Sequence, residues 1–135
     1  KSSIMKTAKV LDSHALLAYL KGETGSRAVR SALEAAGNRV LMNDINVGEV
    51  YYILSRERGS ERAEHFMNSI LPALPIEVVS NDTQAVVRAA RIKARHKIAF
   101  ADCFAVATAV REGAAILTGD PEFKAVESLV AVEWI

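Results

Sequence analysis

Five short apolar runs, separated by stretches of helical periodicity, confine this chain to a narrow set of folds. They are K-T-A-K-V-L-D from Lys6 to Asp12, Arg39 to Met42, I-E-V-V-S from Ile76, A-A-I-L-T-G-D from Ala114, and V-A-V-E-W-I from Val130. A strand buried on both faces is a continuous apolar run, and strands that alternate with helices build a parallel sheet between helical layers. The expectation is an α/β chain: a three-layer α/β/α single domain with a parallel five-stranded sheet.

Capping residues and glycines bound the helices between these strands. Ser13 is the expected N-cap of a helix over His14 to Lys21, which Gly22 to Gly25 ends. Val29, Ala32, Leu33 and Ala36 recur at helical spacing from Ser26, up to Gly37 and Asn38. Asn43 or Asp44 caps the next helix, stopped by Gly59, and Ser60 opens another that runs to about Ile70, before a loop punctuated by Pro72 and Pro75. Asn81 or Asp82 caps Thr83 to Arg95, a further helix runs from Ala101 to Glu112, and Pro121 to Glu127 forms a short one.

No Pro/Gly/Ser-rich linker, repeat or low-complexity segment interrupts the chain, so residues 5–135 are read as one domain, and Lys1 to Ile4, ahead of Met5, as an appended remnant. The longest apolar stretch, Ile98 to Val110, falls well short of the roughly 20 residues that span a membrane. Cys103 is the one cysteine, which excludes an internal disulfide and a Cys-rich zinc site and fits a reducing cytoplasm. A formal charge of +1 gives no global cationic field, so any polyanion site is local.

The acids fall where a parallel sheet presents a crevice, at the carboxyl ends of its strands. Asp12 ends the first strand and Asp120 follows the fourth; Glu49 and Asp102 lie early in helices that begin near the same edge. Right-handed crossovers bring all four to one rim. Each has an ordinary reading alone: Asp12 and Asp102 as helix caps, Glu49 as a plain helix residue, Asp120 as a turn or cap residue before Pro121. Asp102 is the hardest to dismiss, because I-A-F-A-D-C-F-A-V-A-T-A-V is otherwise almost wholly apolar and an isolated buried carboxylate is costly. Together the four repel unless a cation compensates them, and oxygen-only ligands favour Mg²⁺ or Mn²⁺. Such an ion supports phosphodiester hydrolysis without His or Cys. His65 and His96 read as solvated, and His14 as a surface or substrate-contacting residue.

V-L-D-S-H-A-L-L-A-Y-L, N-D-I-N-V-G-E-V-Y-Y-I-L, I-A-F-A-D-C-F-A-V-A-T-A and I-L-T-G-D-P-E-F resemble, in that order, the four acidic signatures of PIN-domain ribonucleases, in particular the VapC-type toxins of bacterial and archaeal toxin–antitoxin pairs. The resemblance covers nearly the whole chain. It implies that Asp12, Glu49, Asp102 and Asp120 are catalytic and bind metal, that Ser13, Asn46 and Thr118 support the site, and that Glu122 is a lesser candidate. It also implies Mg²⁺- or Mn²⁺-dependent endoribonuclease activity on RNA, a homodimer, and a small antitoxin partner whose C-terminal segment enters the groove.

Arg27, Arg30, Arg56, Arg58, Lys93, Arg95, Lys97 and Lys124 are available to RNA, and residues 91–97 are the densest basic run. Tyr19, Tyr51, Tyr52 and Phe104, set among aliphatics, read as core or dimer packing. Three rivals remain to weigh. A catalytically inert dimeric binding module of the same fold is opposed by retention of all four acids. A phosphoacceptor receiver domain needs paired acids after the first strand, and a haloacid-dehalogenase-type phosphatase needs D-x-D there; this chain has D-S-H.

Overall fold

In the computed structural model, which describes residues 7–135, β1 (Thr7–Leu11) is the central strand of a five-stranded sheet in the order β3-β2-β1-β4-β5, with β2 (Asn38–Asn43), β3 (Ile76–Val79), β4 (Ala115–Thr118) and β5 (Val132–Trp134). Every pairing is parallel, with Val10 beside Leu41 on one side and Ile116 on the other. The appended remnant expected at residues 1–4 lies outside the described residues.

Pleating sends alternate strand residues to opposite layers. Leu11, Val40, Met42 and Leu117 pack beneath α1 (Ser13–Lys21), α2 (Ser26–Glu34), α3 (Asp44–Arg58) and α4 (Ser60–His65). Val10, Leu41 and Ile116 pack beneath α6 (Thr83–Arg95) and α7 (Phe100–Glu112). Both faces are therefore covered, which is why the strands lack a polar alternation.

The caps settle two open choices and correct a third. Asn43 caps α3 by accepting from Ile45 N–H, and Asp82 caps α6 by accepting from Ala85 N–H. Asp12, and not Ser13, caps α1 through Ala15 N–H; Ser13 is the first helical residue. Two adjacent capping residues compete for one N-terminus, and the extended backbone of Asp12 (φ −86°, ψ 178°) gives it the role. The helix from Ser60 does not stop at Ile70. It passes through a π-helical turn over Phe66–Ile70 into α5 (Leu71–Ala73), so that Pro72 directly follows the turn in which the ordinary hydrogen-bond register is interrupted. His96 ends α6 half-buried, and Tyr52 is exposed beneath the Arg56 guanidinium, 5.3 Å from the ring centre. No helix of the described residues is long and apolar enough to cross a membrane.

Candidate active site

β1 and β4 are neighbours, but the chain leaves β1 toward β2 and leaves β4 toward β5. That divergence opens a crevice at their carboxyl ends. Asp12 stands immediately after β1. Asp120 follows β4 by two residues and caps the 3₁₀ turn Pro121–Val126 by accepting from Glu122 N–H at 2.9 Å.

Thr118 joins the two strand ends. Its buried hydroxyl donates to Asp12 Oδ2 at 2.5 Å and accepts from Asp120 N–H at 2.9 Å. The other Asp12 oxygen accepts from Ala15 N–H at 2.7 Å, so both oxygens of this carboxylate have fixed partners. Burial pushes the Asp12 carboxyl up to about 6, against the lowering effect of those two hydrogen bonds.

Glu49 and Asp102 reach the crevice from opposite helical layers. Asn46, one turn before Glu49 on α3, donates through Nδ2 to Glu49 Oε1 at 3.0 Å and to the Ala101 carbonyl at 3.1 Å. One buried amide therefore fixes Glu49 and ties α3 to the start of α7. Its own Oδ1 is buried with no hydrogen-bond partner, an unmet acceptor inside the site.

Asp102 is not the cap of α7. Ala99 holds that position without a side-chain bond, and Asp102 is the third helical residue, inside the first turn where the helix dipole favours a negative charge. It is 7% exposed. Burial, followed by the negative charges of Glu49, Asp12, Asp120 and Glu122, pushes its carboxyl up to about 7. All four acids read from the sequence are thus within electrostatic reach of one point, and Glu122 joins them.

Glu122 does more than a solvated helix residue would, because its Oε1 accepts from Ala99 N–H at 3.2 Å and holds the backbone that leads into α7. Ser13 makes no side-chain bond to any of these acids. His14 is exposed at the same rim, its Nδ1 accepting from Gly119 N–H at 3.3 Å. A Cβ on Gly119 would lie 2.6 Å from His14 Cε1, so the glycine of T-G-D is what admits the ring.

The oxygen-only donor set, the mutual repulsion centred on Asp102 and the unmet Asn46 oxygen fit a hard divalent cation. Among the described residues, however, no three His, Cys, Asp or Glu side chains are gathered tightly enough as they stand to hold an ion together. Asp12, Glu49 and Asp120 each give an oxygen to a protein donor instead.

Residues 9–129 match the family model of the PIN domain. No curated protein matches the chain in sequence. Among solved structures, VapBC2 from Rickettsia felis, bound to a DNA fragment from its promoter, is 17% identical, with 94% of this chain and 98% of that one covered at a TM-score of 0.72. VapC20 of Mycobacterium tuberculosis, described as a sarcin-ricin-loop-cleaving toxin, is 18% identical over 87% of this chain and 94% of its own, with a TM-score of 0.71. FitAcB from Neisseria gonorrhoeae is 24% identical over 92% and 95%, with a TM-score of 0.68. These likenesses place the fold.

Proposed function

The chain belongs to the PIN-domain family, and from that premise we propose that it is a metal-dependent endoribonuclease, the toxin of a toxin–antitoxin pair, acting as a homodimer held in check by a small antitoxin. The observation that carries this reading is Asp102: a buried carboxyl pushed up to about 7, with the charges of four other acids converging on it at the sheet's switch point. The fold similarity to toxins of VapBC pairs supports the toxin assignment.

Asp12, Glu49, Asp102 and Asp120 would hold Mg²⁺ or Mn²⁺. When bound, the ion would supply a polarised water and charge stabilisation at a phosphoryl oxygen. The protein's own part is positional. Thr118 and Ala15 N–H fix Asp12, Asn46 fixes Glu49, and Glu122 holds the backbone that presents Asp102. Asp120 offers its second oxygen, which has no protein donor among the described residues. Ser13 is left without a supporting contact of this kind.

The test is cleavage of a panel of structured RNAs by wild-type protein and by Asp102→Asn, each with Mn²⁺ and with chelator, after both are shown to be folded. Cutting that requires metal and is lost in the variant is expected, because the change keeps size and removes charge. Cleavage by the variant at the wild-type rate overturns the assignment. Absence of both cleavage and calorimetric Mn²⁺ binding in the wild type would favour the inert binding module.

A further inference from the structure

Ile53 and Glu57 lie one turn apart on one face of α3. His14, Leu17 or Ala18, and Lys21 form the matching face of α1. Between these two faces runs an open cleft of about 680 Å³, a size suited to a small ligand. It starts at His14 and Gly119, beside the carboxylates, and ends where Lys21 Nζ meets Glu57 Oε1 at 2.6 Å. At Glu23 and Thr24 it meets a second open cleft of about 510 Å³, lined by Arg27 and Arg30.

We propose that this track holds one flank of a single-stranded RNA, from the nucleotide next to the scissile phosphate near His14 to a phosphate at Arg27 and Arg30. The proposal rests on the ribonuclease reading and adds where the substrate lies. An open cleft of this size between two helices has room for single nucleotides of an unpaired strand, whose bases are free to enter it. The charges divide it by function. Lys21 and Glu57 neutralise each other, and Leu17, Ala18 and Ile53 give an apolar floor suited to a base or ribose. Glu23 stands at the junction as an exposed acid, which opposes a phosphate there and suits an amino-bearing base edge.

Donors open to a phosphate stand at the two ends of the track. Arg27 and Arg30, one turn apart on α2, are exposed and have no ion-pair partner among the described residues. At the other end, Gly119 N–H donates to His14 Nδ1, so the outward Nε2 of the neutral ring carries the hydrogen and can donate to a phosphate oxygen. The basic run at residues 91–97 is partly committed, since Lys93 Nζ donates to the Ile98 carbonyl at 2.8 Å.

The test measures binding of a fluorescein-labelled, random-sequence single-stranded RNA in the Asp102→Asn background, where cutting does not interfere, as a function of salt. Adding Arg27→Ala with Arg30→Ala is expected to weaken binding about tenfold or more and to flatten the log K against log salt slope by about 0.7, the value for one single-strand phosphate. His14→Ala is expected to weaken it further. With Asp102 intact, the arginine pair is expected to bind Mn²⁺ as the wild type does. Unchanged affinity and slope in the arginine variant, with the loss appearing instead in Arg95→Ala with Lys97→Ala, overturns the proposal and leaves the ribonuclease reading standing. Failure of the background protein to bind the RNA overturns the proposal, and with it the ribonuclease reading where the wild type also cuts none of the RNA panel.

Discussion

The Cβ that Gly119 lacks would lie 2.6 Å from Cε1 of His14 and 3.1 Å from the Ile135 carbonyl oxygen. Gly119 is not among the glycines with positive φ, so its requirement comes from crowding and not from backbone conformation. Gly119→Ala should therefore fold, with the His14 ring displaced, at a cost of about 1 kcal/mol. In a double-mutant cycle by thermal unfolding, His14→Ala should recover most of that loss. Additive losses in the double variant would show that the ring is not what the methyl meets.

Thr118→Val removes the donor to Asp12 and the acceptor of Asp120 N–H while keeping shape. An isosteric change that leaves a buried carboxylate short of a donor should cost about 1–3 kcal/mol. If the bond also aims Asp12 at a metal, Mn²⁺ affinity should fall roughly 10–100-fold. Thr118→Ser should keep both properties. Denaturant titration and calorimetry read them separately, and a Val variant with wild-type Mn²⁺ affinity would remove Thr118 from the site.

The pH dependence of stability follows from two raised carboxyls. Asp12 is pushed up to about 6 and Asp102 to about 7, against 3.8 in an unfolded chain. Between these limits the folded protein holds more protons than the unfolded one, so stability is full below about pH 4 and is lost as pH rises through 6 and 7. Metal-free protein should thus unfold at a higher temperature at pH 5 than at pH 8, by a few kcal/mol in stability. Mn²⁺ needs the charged forms, so its stabilising effect should grow over the same interval. Thermal scans at both pH values, with chelator and with Mn²⁺, check this. A metal-free protein more stable at pH 8 would contradict the carboxylate cluster.

The layers and the rim were legible in the sequence because strand burial and strand ends are local properties. Val10 and Leu11 needed only to be consecutive and apolar, and Asp12 only to follow them. Choices between neighbours were less legible. Asp12 and Ser13 are both good caps, and only the backbone angles at Asp12 decide. Asp102 reads equally as a cap in the sequence, a place that the backbone gives to Ala99, and nothing in F-M-N-S-I marks a π-turn. The cleft between α1 and α3 was out of reach altogether. The spacing of Ile53 and Glu57 puts them on one helical face, but only tertiary packing says that His14 and Lys21 oppose it.

Asn46 separates stability from site geometry. Its Nδ2 serves Glu49 Oε1 and the Ala101 carbonyl, while its Oδ1 is buried and unmet. Asn46→Asp replaces the donor with oxygen facing two oxygens and buries an unpaired charge beside Glu49, which should cost about 3–5 kcal/mol. Asn46→Leu, close in volume, also removes the unmet carbonyl, and the saved desolvation offsets part of the lost bonds. The Leu variant should therefore stay within about 1–2 kcal/mol of wild type. It still frees Glu49, so its Mn²⁺ affinity should drop while its fold, read by denaturant midpoint, holds. Equal loss of stability in the two variants would mean that the Asn46 bonds brace the α3–α7 packing and that their link to Glu49 is incidental.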